Sequence, residues 1–525
     1  MRHKIVLFAE VALALLQGTT AIEAQVITRA TVSQGQVKGT EERGIVTFKA
    51  IPFAEAPVGN LRWKAPVPKT PWKGEFDATK EGPMPPQQTW SRPGGRTPYV
   101  SEDCLYVNIL TPAGSTDDKL PVLVWIHGGG FITGDANSND GIHFAEEGIV
   151  FVSLSYRTGA LGFLSIPELT AENERHVSGN YGLLDMIEGL KWVRNNIEAF
   201  GGDPSKVTIM GESAGAIAVS MLCASPLAKG LFRGAISESG GSFCPVDSIR
   251  VDNNGIRDLA GSERFGTEFM KRIGASSLAD LRSMSWEKWV GDAPTIGVGG
   301  FWPTVDGYVL PDDQYKMYFE GNYNDVNVLI GTNSDEGAMF CRPTTKERYE
   351  SDIIREYGPF AERMLELYTA QDDDATFGAL SDIFRETAFA WPTWAWAKLQ
   401  RKTGKGKVFM YYFDQFDPDR PLFGGPGAMK PRGANHASEM QYVFATPWKP
   451  FNEGDKAVSE AMHSYWVNFV KNGDPNGKGL ARWPVYRDGK KTVMFFKDGT
   501  RLIRTPNKEQ LLLMEDYYSW KRNIQ

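Results

Sequence analysis

Cysteine is scarce in this chain: four in 525 residues, Cys104, Cys223, Cys244 and Cys341. None stands in a Cys-x-x-Cys pair, so the sequence offers no zinc-type spacing and no metal is expected. With 42% apolar residues the chain can bury a core large enough to stand without cross-links. At most one disulfide is expected, with Cys244 and Cys341 the only suspects, while Cys223 should be a buried, inert thiol. An excess of positive charge is also lacking. Lys and Arg number 57 against 64 Asp and Glu, the net charge is −7, and no basic block occurs. That balance excludes nucleic acid as an expected partner. No Gly-Lys-Ser/Thr follows the glycine-rich stretches, which argues against a phosphate cradle. There is no Asn-x-Ser/Thr sequon, no repeat, no low-complexity segment and no linker long enough to divide domains.

Long hydrophobic runs are equally few, and the one near the start reads as a secretion signal. Arg2, His3 and Lys4 precede an apolar run from Ile5 to Leu16, and Ala21-Ile22-Glu23-Ala24 offers a cleavage site. Removing Met1 to Ala24 takes away Arg2, Lys4, Glu10 and Glu23, so the charge stays at −7. The run is too short for an anchor, and no membrane anchor is expected after cleavage. The expected organisation is a signal over 1–24 and one catalytic domain over 25–525, secreted or periplasmic.

What is present is alternation. Gln36 to Phe53 reads as a small meander, followed by the proline-punctuated segment Ala50 to Trp63 and a long Pro/Gly loop from Gly82 to Pro98 that holds Trp90. Val122 to Ile126 and Ile149 to Leu154 are continuous apolar runs, as in strands buried on both faces. Tyr181 to Phe200 has helical periodicity and stops at Gly201. Gly234 to Ser237, Val326 to Thr332, Val408 to Phe413 and Thr492 to Phe496 complete the expected strands. Gly255 to Trp289 is expected to be helical. So is Lys346 to Leu399, broken near Pro359 and Gln371 to Asp374, and Pro506 to Lys521 should close the chain as a helix. Strands separated by helices predict an α/β fold with a mostly parallel sheet covered on both faces and helical excursions over the pocket.

The stretch around which the chain is organised is Val207 to Gly215, with Gly211-Glu212-Ser213-Ala214-Gly215 at its end. A β-branched run meets Gly-x-Ser-x-Gly, and an apolar helical pattern follows at once. This is the form of a nucleophile elbow, which holds a serine exposed at a strained strand-to-helix turn. A serine nucleophile needs a base, a group that orients the base, and donors for an oxyanion. His127-Gly128-Gly129-Gly130-Phe131 directly follows the strand Val122 to Ile126, so the N–H groups of Gly129 and Gly130, with that of Ala214, are candidate donors. Of six histidines, His436 lies on a late glycine-rich run, where this order of triad residues places the base; His463, on an amphipathic helix, is the alternative. Asp335 and Glu336 follow the strand Val326 to Ile330, and either carboxylate could orient the base.

These residues sit among many others in a fixed order. They include Ile51-Pro52-Phe53-Ala54, Ser101-Glu102-Asp103-Cys104-Leu105, Gly179 to Asp185, Phe200-Gly201-Gly202-Asp203-Pro204, Asp335-Glu336-Gly337, Gly433-Ala434-Asn435-His436 and Asn472 to Asn476. From about Val37 to Tyr486 the chain resembles the type-B carboxylesterases, the cholinesterase-like branch of the α/β-hydrolases. The resemblance implies a Ser213-Glu336-His436 triad, an oxyanion hole of Gly129, Gly130 and Ala214, and supporting roles for Glu212 and Ser239. It implies hydrolysis of small-molecule carboxylic esters through an acyl-enzyme, with no cofactor; aromatic acyl esters of the feruloyl type are candidates. An amidase or acyltransferase on the same triad, or a non-catalytic recognition domain, are the alternatives. Phe131, Phe243, Trp302 and Phe340 are candidate pocket residues. Two departures stand out: the loop before Cys104 lacks the partner cysteine of eukaryotic relatives, and the surroundings of Trp90 do not match the cation-binding loop of cholinesterases. The missing cysteine, with the absence of any sequon and the simple signal, looks like a bacterial periplasmic or secreted member, and the surroundings of Trp90 argue against choline binding.

Overall fold

The structure, a computed structural model, describes residues 26–89, 98–248, 255–292, 300–419 and 430–524. The signal-like segment, Trp90 and the first part of the glycine-rich run before His436 lie outside the described residues. The strands are, in chain order, β1 (Arg29–Val32), β2 (Gly35–Lys38), β3 (Thr40–Glu42), β4 (Ile45–Pro52), β5 (Glu75–Asp77), β6 (Tyr106–Thr111), β7 (Leu120–Ile126) and β8 (Val150–Leu154). They continue as β9 (Gly202–Glu212), β10 (Gly234–Glu238), β11 (Arg257–Asp258), β12 (Thr304–Val305), β13 (Asn327–Asn333), β14 (Val408–Phe413), β15 (Val493–Phe496) and β16 (Thr500–Ile503).

Eleven of these form one sheet in the order β16-β15-β14-β13-β10-β9-β7-β8-β6-β4-β3. From β8 through β15 every neighbour runs parallel. The edges β6-β4-β3 and β16 are antiparallel. Successive side chains of a strand point to opposite faces, and both faces here are packed. Val122, Val124 and Ile126 of β7 enter one core cluster while Leu123 and Trp125 enter the other, and β13 divides Val328 and Ile330 from Leu329 in the same way. That two-sided burial is why these strands read as continuous apolar runs rather than alternating ones.

The expected strands and helices of the central region are present, with four corrections. Strand β6 was not expected, although it lies between β4 and β8. Its run is interrupted by Asn108, whose amide accepts from Ala50 N (2.8 Å) where the β4–β6 register shifts, and donates to Ser153 Oγ (3.2 Å). A polar side chain buried to satisfy a bulge looks like a strand breaker in sequence. The antiparallel edge strand β16 was also missed, and the segment from Gly255 opens with β11 before its helices begin. Breaks in the long helical region fall at Tyr357 and after Leu367 as expected, but a third occurs as a π-turn over Glu386–Ala390.

None of the four cysteines is in a disulfide, and Cys244 donates to the Thr387 carbonyl (3.5 Å), so the suspected Cys244–Cys341 bond is not made. Cys223 is buried in the fully buried helix Ala214–Ala224. Among the described residues no helix is long and apolar enough to cross a membrane, and no group of three or more His, Cys, Asp or Glu is placed to hold a metal.

Candidate active site

Ser213 stands between β9 and the helix Ala214–Ala224 with φ 56° and ψ −125°, a conformation that L-residues rarely adopt. Its flanking glycines are required by the close approach of strand and helix. A Cβ on Gly211 would lie 2.5 Å from the Gly215 carbonyl carbon, and one on Gly215 would run into the Ile126 carbonyl oxygen. The turn is further held by Ser213 N donating to Glu238 O (2.9 Å) on the neighbouring β10.

His436 Nε2 lies 2.8 Å from Ser213 Oγ, and its Nδ1 lies 2.6 Å from Glu336 Oε2. The other oxygen of Glu336 accepts from Ser239 Oγ (2.6 Å) and from Asn333 N (2.7 Å). Glu336 is fully buried, so these bonds replace the water it has lost. Of the two adjacent carboxylates, Glu336 is the one that lies against the imidazole. Asp335 accepts from Arg432 N and Nη2, both at 3.1 Å, and pairs in a bridge with Asn435, so it faces away from the imidazole. His463 is elsewhere, its Nδ1 on Val443 O (2.8 Å) and its ring against Phe144.

The glycine loop after β7 is braced by its own histidine. His127 Nδ1 lies 2.9 Å from Gly128 O, its ring is stacked on Tyr156 at 4.2 Å, and Tyr156 OH donates to His127 O (2.8 Å). Burial lowers His127 to about 4, so it is neutral and Nδ1 carries the donated proton. Gly129 and Gly130 have φ of 103° and 63°. A Cβ on Gly129 would strike the Thr133 carbonyl, whereas the space beside Gly130 is open.

Three buried glutamates, Glu212, Glu336 and Glu439, act on the base, and a fourth, Glu238, lies near Glu212 and Glu439. Glu212 Oε1 is 3.2 Å from His436 Nε2. Burial pushes Glu212 up to about 7 against the pull of His436, and burial with the charges of Glu212 and Glu336 pushes Glu439 up to about 8. Burial would lower His436, but the charge of Glu212 and then the hydrogen bond and charge of Glu336 outweigh it and bring it to about 9.

Glu439 and Glu238 were not singled out in the sequence. Glu439 accepts from Asn333 Nδ2, and Glu238 accepts from Trp466 Nε1 (2.5 Å). The only signals were position: Glu439 follows His436 by three residues and Glu238 precedes Ser239. Of the pocket candidates, Phe340 meets His436 edge-on at 5.2 Å and is 37% exposed. Phe131 packs edge-on against Trp302 at 4.8 Å beside the glycine loop. Phe243 packs against Tyr318 and Trp396 in the aromatic core. Phe389, unforeseen, is stacked on His436.

The "Carboxylesterase family" model matches residues 26–514. Para-nitrobenzyl esterase of Bacillus subtilis (strain 168) is 34% identical over 91% of this chain and 97% of its own length. Fumonisin B1 esterase of Sphingopyxis macrogoltabida is 34% identical over 86% of this chain and 83% of its own. Among solved structures, a PNB esterase superposes with a TM-score of 0.78 at 32% identity, covering 94% of this chain and all of that one. With this sheet, this strained serine and these relatives together, the chain belongs to the carboxylesterase family, the type-B branch of the α/β-hydrolase superfamily, and is a carboxylic ester hydrolase.

Proposed function

We propose that ester cleavage here runs through Ser213, His436 and Glu336. The supporting observation is the hydrogen-bonded line from Ser213 Oγ through both imidazole nitrogens to Glu336. Ser213 Oγ attacks the ester carbonyl as its proton passes to His436 Nε2. Glu336 holds the ring and balances the imidazolium. The oxyanion is received by the N–H groups of Gly129, Gly130 and Ala214. Collapse expels the alcohol, which takes the proton from His436. Water, activated by the same nitrogen, then frees the acid and restores Ser213.

The proposed substrates are small esters bearing an aromatic group, in keeping with the rings of Phe340 and Phe389 beside the base, Phe384 packed on both, and Phe131 and Trp302 beside the glycine loop. One relative is named for para-nitrobenzyl esters. The proposed setting is export, on the strength of the signal-like start. The test is steady-state hydrolysis of a matched panel of aromatic and aliphatic esters. Ser213→Ala and His436→Ala should each lose several orders of magnitude in kcat, and the double variant should be scarcely worse. Glu336→Gln should lose more than Asp335→Asn; the reverse order would move the acid to Asp335.

A further inference from the structure

The helix Thr376–Arg385 does not run straight into the helix Trp391–Thr403; the π-turn Glu386–Ala390 intervenes, closed by Trp391 N donating to Glu386 O. Pro392 supplies the cause. It has no N–H to donate, and its ring would crowd the carbonyl four residues back, so the ladder widens there. Thr387 Oγ1 takes up a carbonyl of the preceding turn, donating to Ile383 O (2.8 Å). On a regular helix at about 100° per residue, Phe384 and Phe389 would point about 140° apart. The wider turn brings them to one side, with ring centroids 6.0 Å apart. Phe389, 3% exposed, then lies on the face of the His436 imidazole at 4.6 Å and 24°.

The π-turn is tied to the loop of the acid. Arg385 Nη2 donates to Glu386 Oε1 (2.7 Å), Asn507 Nδ2 donates to the same oxygen (2.9 Å), and Arg385 Nη1 donates to Ser334 O (2.9 Å). The ring on the imidazole and the carboxylate at its Nδ1 are therefore carried on one braced unit.

We propose that Phe389 is a positioning residue for the base: its ring covers one face of His436, keeps the imidazole in the plane between Ser213 and Glu336, and stabilises the imidazolium formed at each proton transfer. This rests on the reading of His436 as the base. A cation over an aromatic face is attracted by the ring quadrupole, more strongly where water is excluded. Among charged groups, Glu336 faces Nδ1, Glu212 faces Nε2 and Glu439 lies behind them, while Asp335 is held by Arg432 and Glu386 by Arg385. Phe389 and Phe340 are the uncharged walls.

The test compares Phe389→Leu, Phe389→Met and Phe389→Tyr with the parent protein on one activated ester, recording kcat, KM, the pH profile and thermal melting. The apolar variants should lose on the order of three- to thirtyfold in kcat with KM within about twofold. Without the ring the imidazolium is less stable, so the acid limb of the profile should move to lower pH by roughly half a unit or more. Phe389→Tyr should restore most of both. An unchanged kcat and acid limb in either folded apolar variant overturns the proposal, as does a kcat loss with a fixed acid limb that Tyr does not rescue. Ser213→Ala separates the two readings: if it is inactive, those outcomes sink only the role of Phe389, whereas retained activity sinks the triad and this proposal with it.

Discussion

The nucleophile side and the base side of this site are held in place by different means. Ser213 is fixed by its immediate neighbours, with strand and helix touching across Gly211 and Gly215 and the serine strained at φ 56°. His436 is fixed from afar. Its loop is hung on the acid turn by Ala434 N donating to Ser334 Oγ (2.8 Å), Asp335 N donating to Ala434 O (2.9 Å), and Asn333 Nδ2 donating to Asn435 O (2.8 Å). Arg432 pins the same turn through Asp335 and Asp382. One half is a steric junction that any perturbation breaks outright. The other is a lattice of polar bonds that can lose a member and degrade by degrees.

The largest effect should come from the junction. Gly215→Ala forces a Cβ into the Ile126 carbonyl, backbone against backbone. A loss of about 3 kcal/mol or more of stability, with esterase activity gone, is expected from thermal melting and assay. A variant that melts and turns over as the parent does would show that the contact is loose and the contrast misdrawn.

A smaller effect is expected in the lattice. Arg432→Met leaves Asp335, itself 1% exposed, with fewer donors. Because Arg432 is partly exposed and its backbone N–H still reaches Asp335, the loss should be about 1–3 kcal/mol, with roughly tenfold lower kcat. If activity vanishes entirely, the base side is as brittle as the elbow. The reading also predicts that melting, not substrate binding, reports most of the damage.

The smallest change is one of pH dependence, at the point where the halves meet. Glu212 belongs to the elbow strand but faces His436 of the other side. Its charge helps hold the imidazole at about 9, so Glu212→Gln makes the imidazolium less stable. The neutral base then persists to lower pH, and the acid limb of kcat/KM should move down by about one pH unit or more. A limb that stays or moves upward would mean that Glu212 carries no charge in the working enzyme.

The amino-acid sequence by itself determined the elbow, the glycine loop and the two-sided strands. Each is a short-range matter: a turn without room for Cβ atoms, donors left bare by consecutive glycines, apolar runs with no polar face. Their physical demands are met within a few consecutive residues, and so they are written there. Which of Asp335 and Glu336 lies against the imidazole is visible only in the tertiary structure, because Arg432, the group that holds Asp335, lies 97 positions away. The same holds for Glu238, which the β9–β10 register sets opposite Glu212, and for Glu439, an ordinary glutamate until burial costs it its water. Phe389 had no mark in the chain beyond a proline three residues on. What aims it is the width of one helical turn, and what it covers is a histidine whose loop is hung on the acid turn after β13.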